Sequence, residues 1–116
     1  MHSTVPCVDT TQLLKGVLDL AVLAALRDED GYGYDILRRL RAAGLHDVGD
    51  ASVYGTLRRL FTGGFLNTYV VPSDEGPHRK YYAINAAGRA ELDRNGKTWR
   101  EFASTMNDLI GDRGTV

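Results

Sequence analysis

Between Ala51 and Tyr82 the chain runs ASVYGTLRRLFTGGFL, then NTYVV, an acidic Gly/Pro turn, and HRKYYAI. The first part repeats apolar residues at helical spacing and carries two adjacent arginines. The second is rich in Thr, Tyr and Val, which suits paired strands. An arginine-bearing helix followed at once by a two-stranded ribbon with a basic edge leaves few architectures open. Helix and ribbon can grip one and the same partner.

At 116 residues the chain fits one domain. A domain of that size buries a limited core, so oligomerisation would help stabilise it. The net charge of −1 gives no global attraction to nucleic acid. Its distribution is uneven. Residues 1–30 carry Lys15 and Arg27 against five acids, a net of −3; residues 33–82 carry seven basic and five acidic residues, a net of +2; residues 83–116 balance five against five. The basic excess is small, and it sits on the helix and ribbon. Cys7 is the only cysteine, which excludes an internal disulfide and a thiolate-rich zinc site. The N-terminus lacks the basic start and apolar stretch of a secretory leader. The longest strictly apolar run, Leu20 to Leu26, is far short of a membrane span. A cytoplasmic protein is expected.

Met1 to Thr10 has no helical period and reads as a loose arm, with Thr10 or Thr11 capping the first helix. That helix, LLKGVLDLAVLAAL, spans Leu13 to Leu26, with Leu14, Leu18, Ala21 and Ala25 in one stripe, and Leu14 and Leu18 are expected at the dimer or ligand surface together with the last helix. It ends in a turn at Gly31. A second helix from about Gly33 to Ala43 buries Ile36, Leu37 and Leu40 and leaves Arg38, Arg39 and Arg41 mostly outside. Asp50 is placed to cap a third helix. There Val53, Leu57, Leu60 and Phe61 form the apolar stripe, with Ser52, Gly55, Arg59 and Thr62 opposite and Arg58 and Tyr54 at the flanks. Gly63-Gly64 ends it. Phe65 to Val71 and His78 to Ile84 read as two strands around the turn Pro72 to Pro77. Asn85 caps a last helix to Ile110. On it Leu92, Trp99 and Met106 recur every seven residues, with Phe102 and Leu109 three after the last two, as on a coiled-coil seam. Asn95-Gly96 should soften or bend that helix.

The fold class that results is α+β, mostly helical: a winged helix-turn-helix with a C-terminal dimerisation helix. The expected parts are a flexible arm (1–12), the winged domain (13–84), the dimerisation helix (85–110) and a frayed tail (111–116). A helix in the major groove shows small or polar groups to base edges while its other face stays packed. Gly55 would let the third helix sit close to DNA, and Arg58 and Arg59 can each reach a guanine edge or a phosphate. Arg79 and Lys80 on the wing can reach the flanking backbone or the minor groove. Asp74 and Glu75 at the wing tip oppose DNA, so the strand and not the tip is expected to make the contact. Of Tyr81 and Tyr82, one points inward and one outward.

These segments resemble the PadR family of bacterial transcriptional regulators. LLKGVLDLAVLAAL is similar to the family's opening helix, GYGYDILRRL to its second helix, ASVYGTLRRLFTGGFL to its recognition helix, and GPHRKYYAINAAGRAEL to its wing followed by a capped helix. The resemblance runs from about Leu13 to Ile110. It implies a homodimer on a pseudo-palindromic operator, usually a repressor released by a small ligand. The short length and single terminal helix are similar to the compact subfamily that includes the multidrug regulator LmrR. Carried over by position, Ser52, Tyr54 and Arg59 would contact DNA from the helix, and Arg79 and Lys80 from the wing. Trp99 matches a terminal-helix tryptophan that, in LmrR-like members, sandwiches flat aromatic drugs with its symmetry mate; Phe102 and Met106 would line the same surface. Two departures bear on the operator sequence. Gly55 stands where the family often has Pro, and the turn Leu45 to Gly49 is this chain's own.

Ser, His and Asp are scattered with no nucleophile setting, so no enzyme is expected. His2, Cys7, His46 and His78 lack ligand-pair spacing, so neither metal nor cofactor is expected. Two other readings stay open: a winged-helix protein-interaction module, and a small-molecule-binding module, each without specific DNA binding.

Overall fold

The computed structural model describes residues 10–111, with side chains from residue 17 onward. Along the described chain come α1 (Thr10–Leu26), β1 (Gly31–Tyr32), α2 (Gly33–Ala42), α3 (Asp50–Thr62), β2 (Leu66–Val71), β3 (Arg79–Ile84) and α4 (Ala86–Ile110). This is a winged helix-turn-helix with an added C-terminal helix. Most of the expected arm (residues 1–9), with His2 and Cys7, and the tail 112–116 lie outside the described residues. So does the side chain of Leu14. The helix α1 already includes Thr10 and Thr11, so neither precedes it as a cap.

Leu18, Val22, Leu23 and Leu26 of α1 meet Ile36, Leu37 and Leu40 of α2 and Val53, Leu57 and Leu60 of α3 in one core. The middle of α1 is wrapped on several sides, as its dense apolar run requires. The α2 and α3 ends share one solution. After each, a glycine takes a left-handed backbone, Gly44 at φ 122° and Gly64 at φ 89°. The next amide then bonds back to the last helical turn, Leu45 N to Leu40 O and Phe65 N to Leu60 O, both at 3.0 Å. These closures set the length of the turn into α3 and of the entry into the wing.

The sheet has three strands in the order β1-β3-β2, antiparallel throughout. The ribbon of β2 and β3 was expected; β1 was not. Gly31 pairs with Tyr82 and Tyr32 with Tyr81, so Gly31 is in extended pairing rather than in a left-handed turn. A strand of two residues leaves no period to read, and it exists only because β3 lies beside it. Tyr82 packs against the core. Tyr81 faces the other way, its ring stacked on Tyr69 (5.5 Å between centroids) and tilted against Tyr32 (5.4 Å).

Three further expectations change. Asp50 does not cap α3: Gly49 holds the cap position with no side-chain bond, and Asp50 stands in the first turn, 3.6 Å from the Arg41 guanidinium. Its charge still favours the helix N-terminus. The helix α4 passes through Asn95-Gly96 without a break. Leu18 and Leu92, expected at the dimer or ligand surface, are buried in the chain's own core.

The cap at Asn85 is as expected. Its side-chain oxygen accepts from Gly88 N at 2.9 Å, while its amide donates to Gly64 O at 3.0 Å and Asn67 Oδ1 at 3.2 Å. One side chain thus ties the end of α3, strand β2 and the start of α4. Gly88 makes that junction possible, because a Cβ there would lie 2.3 Å from the Phe65 carbonyl oxygen.

Candidate nucleic-acid interface

Arginines dominate α2, and two of the three are committed to the scaffold. Arg39 is only 23% exposed and donates to the carbonyls of Ala25 (2.9 Å), Glu29 (2.7 Å) and Asp30 (2.6 Å), and to the Asp35 carboxylate (2.8 Å). It closes the C-terminal end of α1 and fixes the approach to β1. Arg41 donates to Val48 O through Nε (3.2 Å) and Nη2 (2.9 Å), which holds the turn into α3. Arg38 alone points outward, 3.0 Å from Asp35 and over the Tyr34 ring. The three were expected mostly outside the buried face of α2; Arg39 is nonetheless largely covered, because helical spacing does not register carbonyls supplied by another element.

The helix α3 is rotated from its expected setting. Thr56 is buried at 2% exposure, while Phe61, assigned to the apolar stripe, is 43% exposed. At about 100° per residue these two lie on opposite flanks of the Val53-Leu57-Leu60 stripe. The flank with Thr56 lies beneath α1; the flank with Phe61 turns toward the wing, where the Lys80 ammonium sits 5.8 Å from its ring centre. The outward centre of α3 is therefore Ala51, Gly55, Arg58 and Thr62. An ideal Cβ at Gly55 meets nothing within 4 Å. Arg58 makes no hydrogen bond or ion pair with any other described residue.

Arg59 and Ser52 share the flank toward α1. The Arg59 guanidinium is paired with the Asp19 carboxylate, with Thr56 Oγ1 a more distant 3.5 Å. Arg59 was expected on the open face with Arg58 at its flank; it stands instead at the edge of that face, its head drawn toward α1. Tyr54 occupies the opposite flank. Its ring lies where a Cβ on Gly33 would be, 2.0 Å from its Cε1, so the glycine at the start of α2 makes room for Tyr54.

The two wing cations diverge. Strand alternation puts Lys80 on the face of Tyr82, toward α3, and Arg79 on the face of Tyr81. The Lys80 ammonium is 5.7 Å from the Tyr82 ring centre, and the Arg79 guanidinium lies 4.6 Å over Tyr32. The hydroxyl of Tyr69 donates to Asp30 Oδ2 at 2.6 Å, and that hydrogen bond holds the Tyr69 phenol above its ordinary range. Asp74 and Glu75 are exposed at the tip.

A second feature lies on the α1 side. A cavity of about 540 Å³ is lined by Val17, Leu20, Trp99 and Phe102, with Asp19, Arg59, Asn95 and Thr98 at its polar edge. Beyond it α4 leaves Trp99, Phe102, Met106, Leu109 and Ile110 exposed. Among the described residues no cluster of three or more His, Cys, Asp or Glu side chains could hold a metal ion. Likewise, no helix is long and apolar enough to cross a membrane.

A model of the PadR-like transcriptional regulator family matches residues 22–94. The chain belongs to that family. It is a DNA-binding winged-helix regulator of the PadR type, and its relatives are regulators rather than enzymes. A PadR-like regulator of Bacillus cereus is 32% identical over 85% of this chain and 96% of its own, with a TM-score of 0.75. A PadR-family regulator of Eggerthella lenta is 26% identical over 89% of each chain, with a TM-score of 0.79. A Lysinibacillus sphaericus protein described as uncharacterized is 29% identical over 99 residues, which is 84% of this chain and 91% of that one. The family match ends before Trp99, so it covers the PadR helix-turn-helix and wing rather than the far half of α4.

Proposed function

We propose that this PadR-family chain acts as a homodimeric repressor on a pseudo-palindromic operator and is released by a small aromatic ligand. The observation that carries the DNA side is the open face of α3, where Gly55 leaves room and Arg58 has an uncommitted guanidinium, with Lys80 of the wing by Phe61 on the neighbouring flank. Ser52 and Tyr54 flank that face and would contact sugar or phosphate. Arg58 would read a guanine edge or grip a phosphate, and Lys80 would add a contact from the wing. Arg79, on the far face of the ribbon, would reach the flanking backbone.

Dimerisation is supported by the exposed row from Trp99 to Ile110, which a chain of this size does not leave in water without cause. Two copies joined there would present two α3 helices to successive major grooves. The ligand reading is supported by the cavity beside Trp99, whose volume and apolar lining suit a small flat molecule. Selection of duplexes from a random DNA pool tests the proposal. Enrichment of an inverted repeat with half-sites about one helical turn apart is expected. Recovery of unrelated sequences would reject the operator reading.

A further inference from the structure

Asp19 is the one charged side chain between Val17 and Leu26, in a stretch that is otherwise Val, Leu and Ala. Its carboxylate reaches across to Arg59 on α3, forty residues away in sequence. The pair is not buried: the side chains are 62% and 46% exposed for Arg59 and Asp19. An ion pair this wet contributes little to stability. Its effect on the position of the Arg59 head is larger. On the helical wheel Arg59 lies next to Ser52, at the border of the open face, where a long side chain could swing toward a phosphate.

We propose that Asp19 is a positioning residue for DNA binding, holding the Arg59 guanidinium on the α1 side of α3 and leaving the reading to Arg58. The inference rests on the DNA-binding reading above. A carboxylate and a phosphate compete for the same planar fork of donors. While Asp19 is present, the number of cations that α3 offers to DNA is set by α1 and not by α3 alone. Both members of the pair also line the cavity beside Trp99, so an occupant of that cavity would lie against the group that decides where Arg59 points.

The test compares the wild type, Asp19→Asn, Asp19→Glu, Arg59→Ala and the Asp19→Asn/Arg59→Ala double variant on one mixed-sequence DNA duplex over a salt series. Asp19→Asn is expected to bind roughly 3- to 10-fold tighter at low salt, with a salt slope steeper by about one per protomer. Asp19→Glu keeps the carboxylate and should behave as the wild type. In the Arg59→Ala background the Asp19→Asn change should alter affinity by about twofold or less. An equal gain in both backgrounds overturns the inference, because it shows only the loss of one negative charge near DNA. No gain in either background overturns it too. Failure of the wild type to bind this duplex at every salt concentration of the series overturns this inference and the DNA-binding reading together. Asp19→Ser supplies the same comparison if the Asn variant melts below the assay temperature.

Discussion

Arg39 and Arg58 carry the same guanidinium and end in opposite circumstances. Arg39 meets three carbonyls and a carboxylate within 2.9 Å and becomes part of the frame; Arg58 meets none among the described residues and stays available to a partner. The small net charge of residues 33–82 thus hides a division of labour, because several of the cations there are already neutralised inside the fold. Tyr69 shows the same principle for a titrating group. Its hydrogen bond to Asp30 favours the neutral phenol and raises its pKa. A group whose pKa is raised by folding stabilises the folded state below its unfolded value and loses that contribution as pH rises through the folded value. In alkaline absorbance titrations one phenol should therefore ionise at higher pH in the wild type than in Asp30→Asn. A titration identical in the two proteins would remove the Tyr69–Asp30 bond as the cause.

At the scale of elements, two glycines separate fold from function. Alanine is favoured over glycine in a helix interior by about 1 kcal/mol. At Gly88 that gain is opposed by a Cβ 2.3 Å from the Phe65 carbonyl oxygen. Overpacking of this kind costs about 1–3 kcal/mol, and a backbone carbonyl has little room to yield. Gly88→Ala should lower stability by about 1–2 kcal/mol in a urea melt. At Gly55 nothing opposes the gain. Gly55→Ala should raise stability by up to about 1 kcal/mol while weakening DNA binding; a variant that gains both would show that α3 does not lie close to the duplex.

The four helices, the ribbon and the Asn85 cap were legible in the sequence, because each carries a period or a capping residue of its own. The strand β1 was not, since Gly31 and Tyr32 become a strand only beside Tyr81 and Tyr82. The rotation of α3 was not legible either. Phe61 outranks Thr56 on any hydrophobicity scale, but the flank of Thr56 is the one that α1 covers. Leu92 and Trp99 share one heptad position, and only packing against α1 and β3 shows that the first belongs to the core while the second is left outside.

The described part of the chain is longer than one compact core requires. Its extents are 55 × 31 × 25 Å and its radius of gyration is 16.9 Å, against about 13 Å for a compact chain of about 100 residues. The far half of α4 carries the exposed apolar row. Sedimentation equilibrium at micromolar concentration should give about twice the 12.8 kDa chain mass, and Leu109→Asp, at a site 74% exposed in the single chain, should shift it toward the monomer without changing the helical content. A wild-type monomer would overturn the presentation of two α3 helices to successive major grooves. The central claim is that the open face of α3, centred on Arg58, meets DNA. Affinity for the selected duplex, measured for the wild type, Arg58→Ala and a control Arg94→Ala on α4, tests it most directly. The account predicts a loss of about 1–3 kcal/mol for Arg58→Ala, with relaxed sequence preference, and no loss for Arg94→Ala. Equal affinity and selectivity in all three proteins would contradict it.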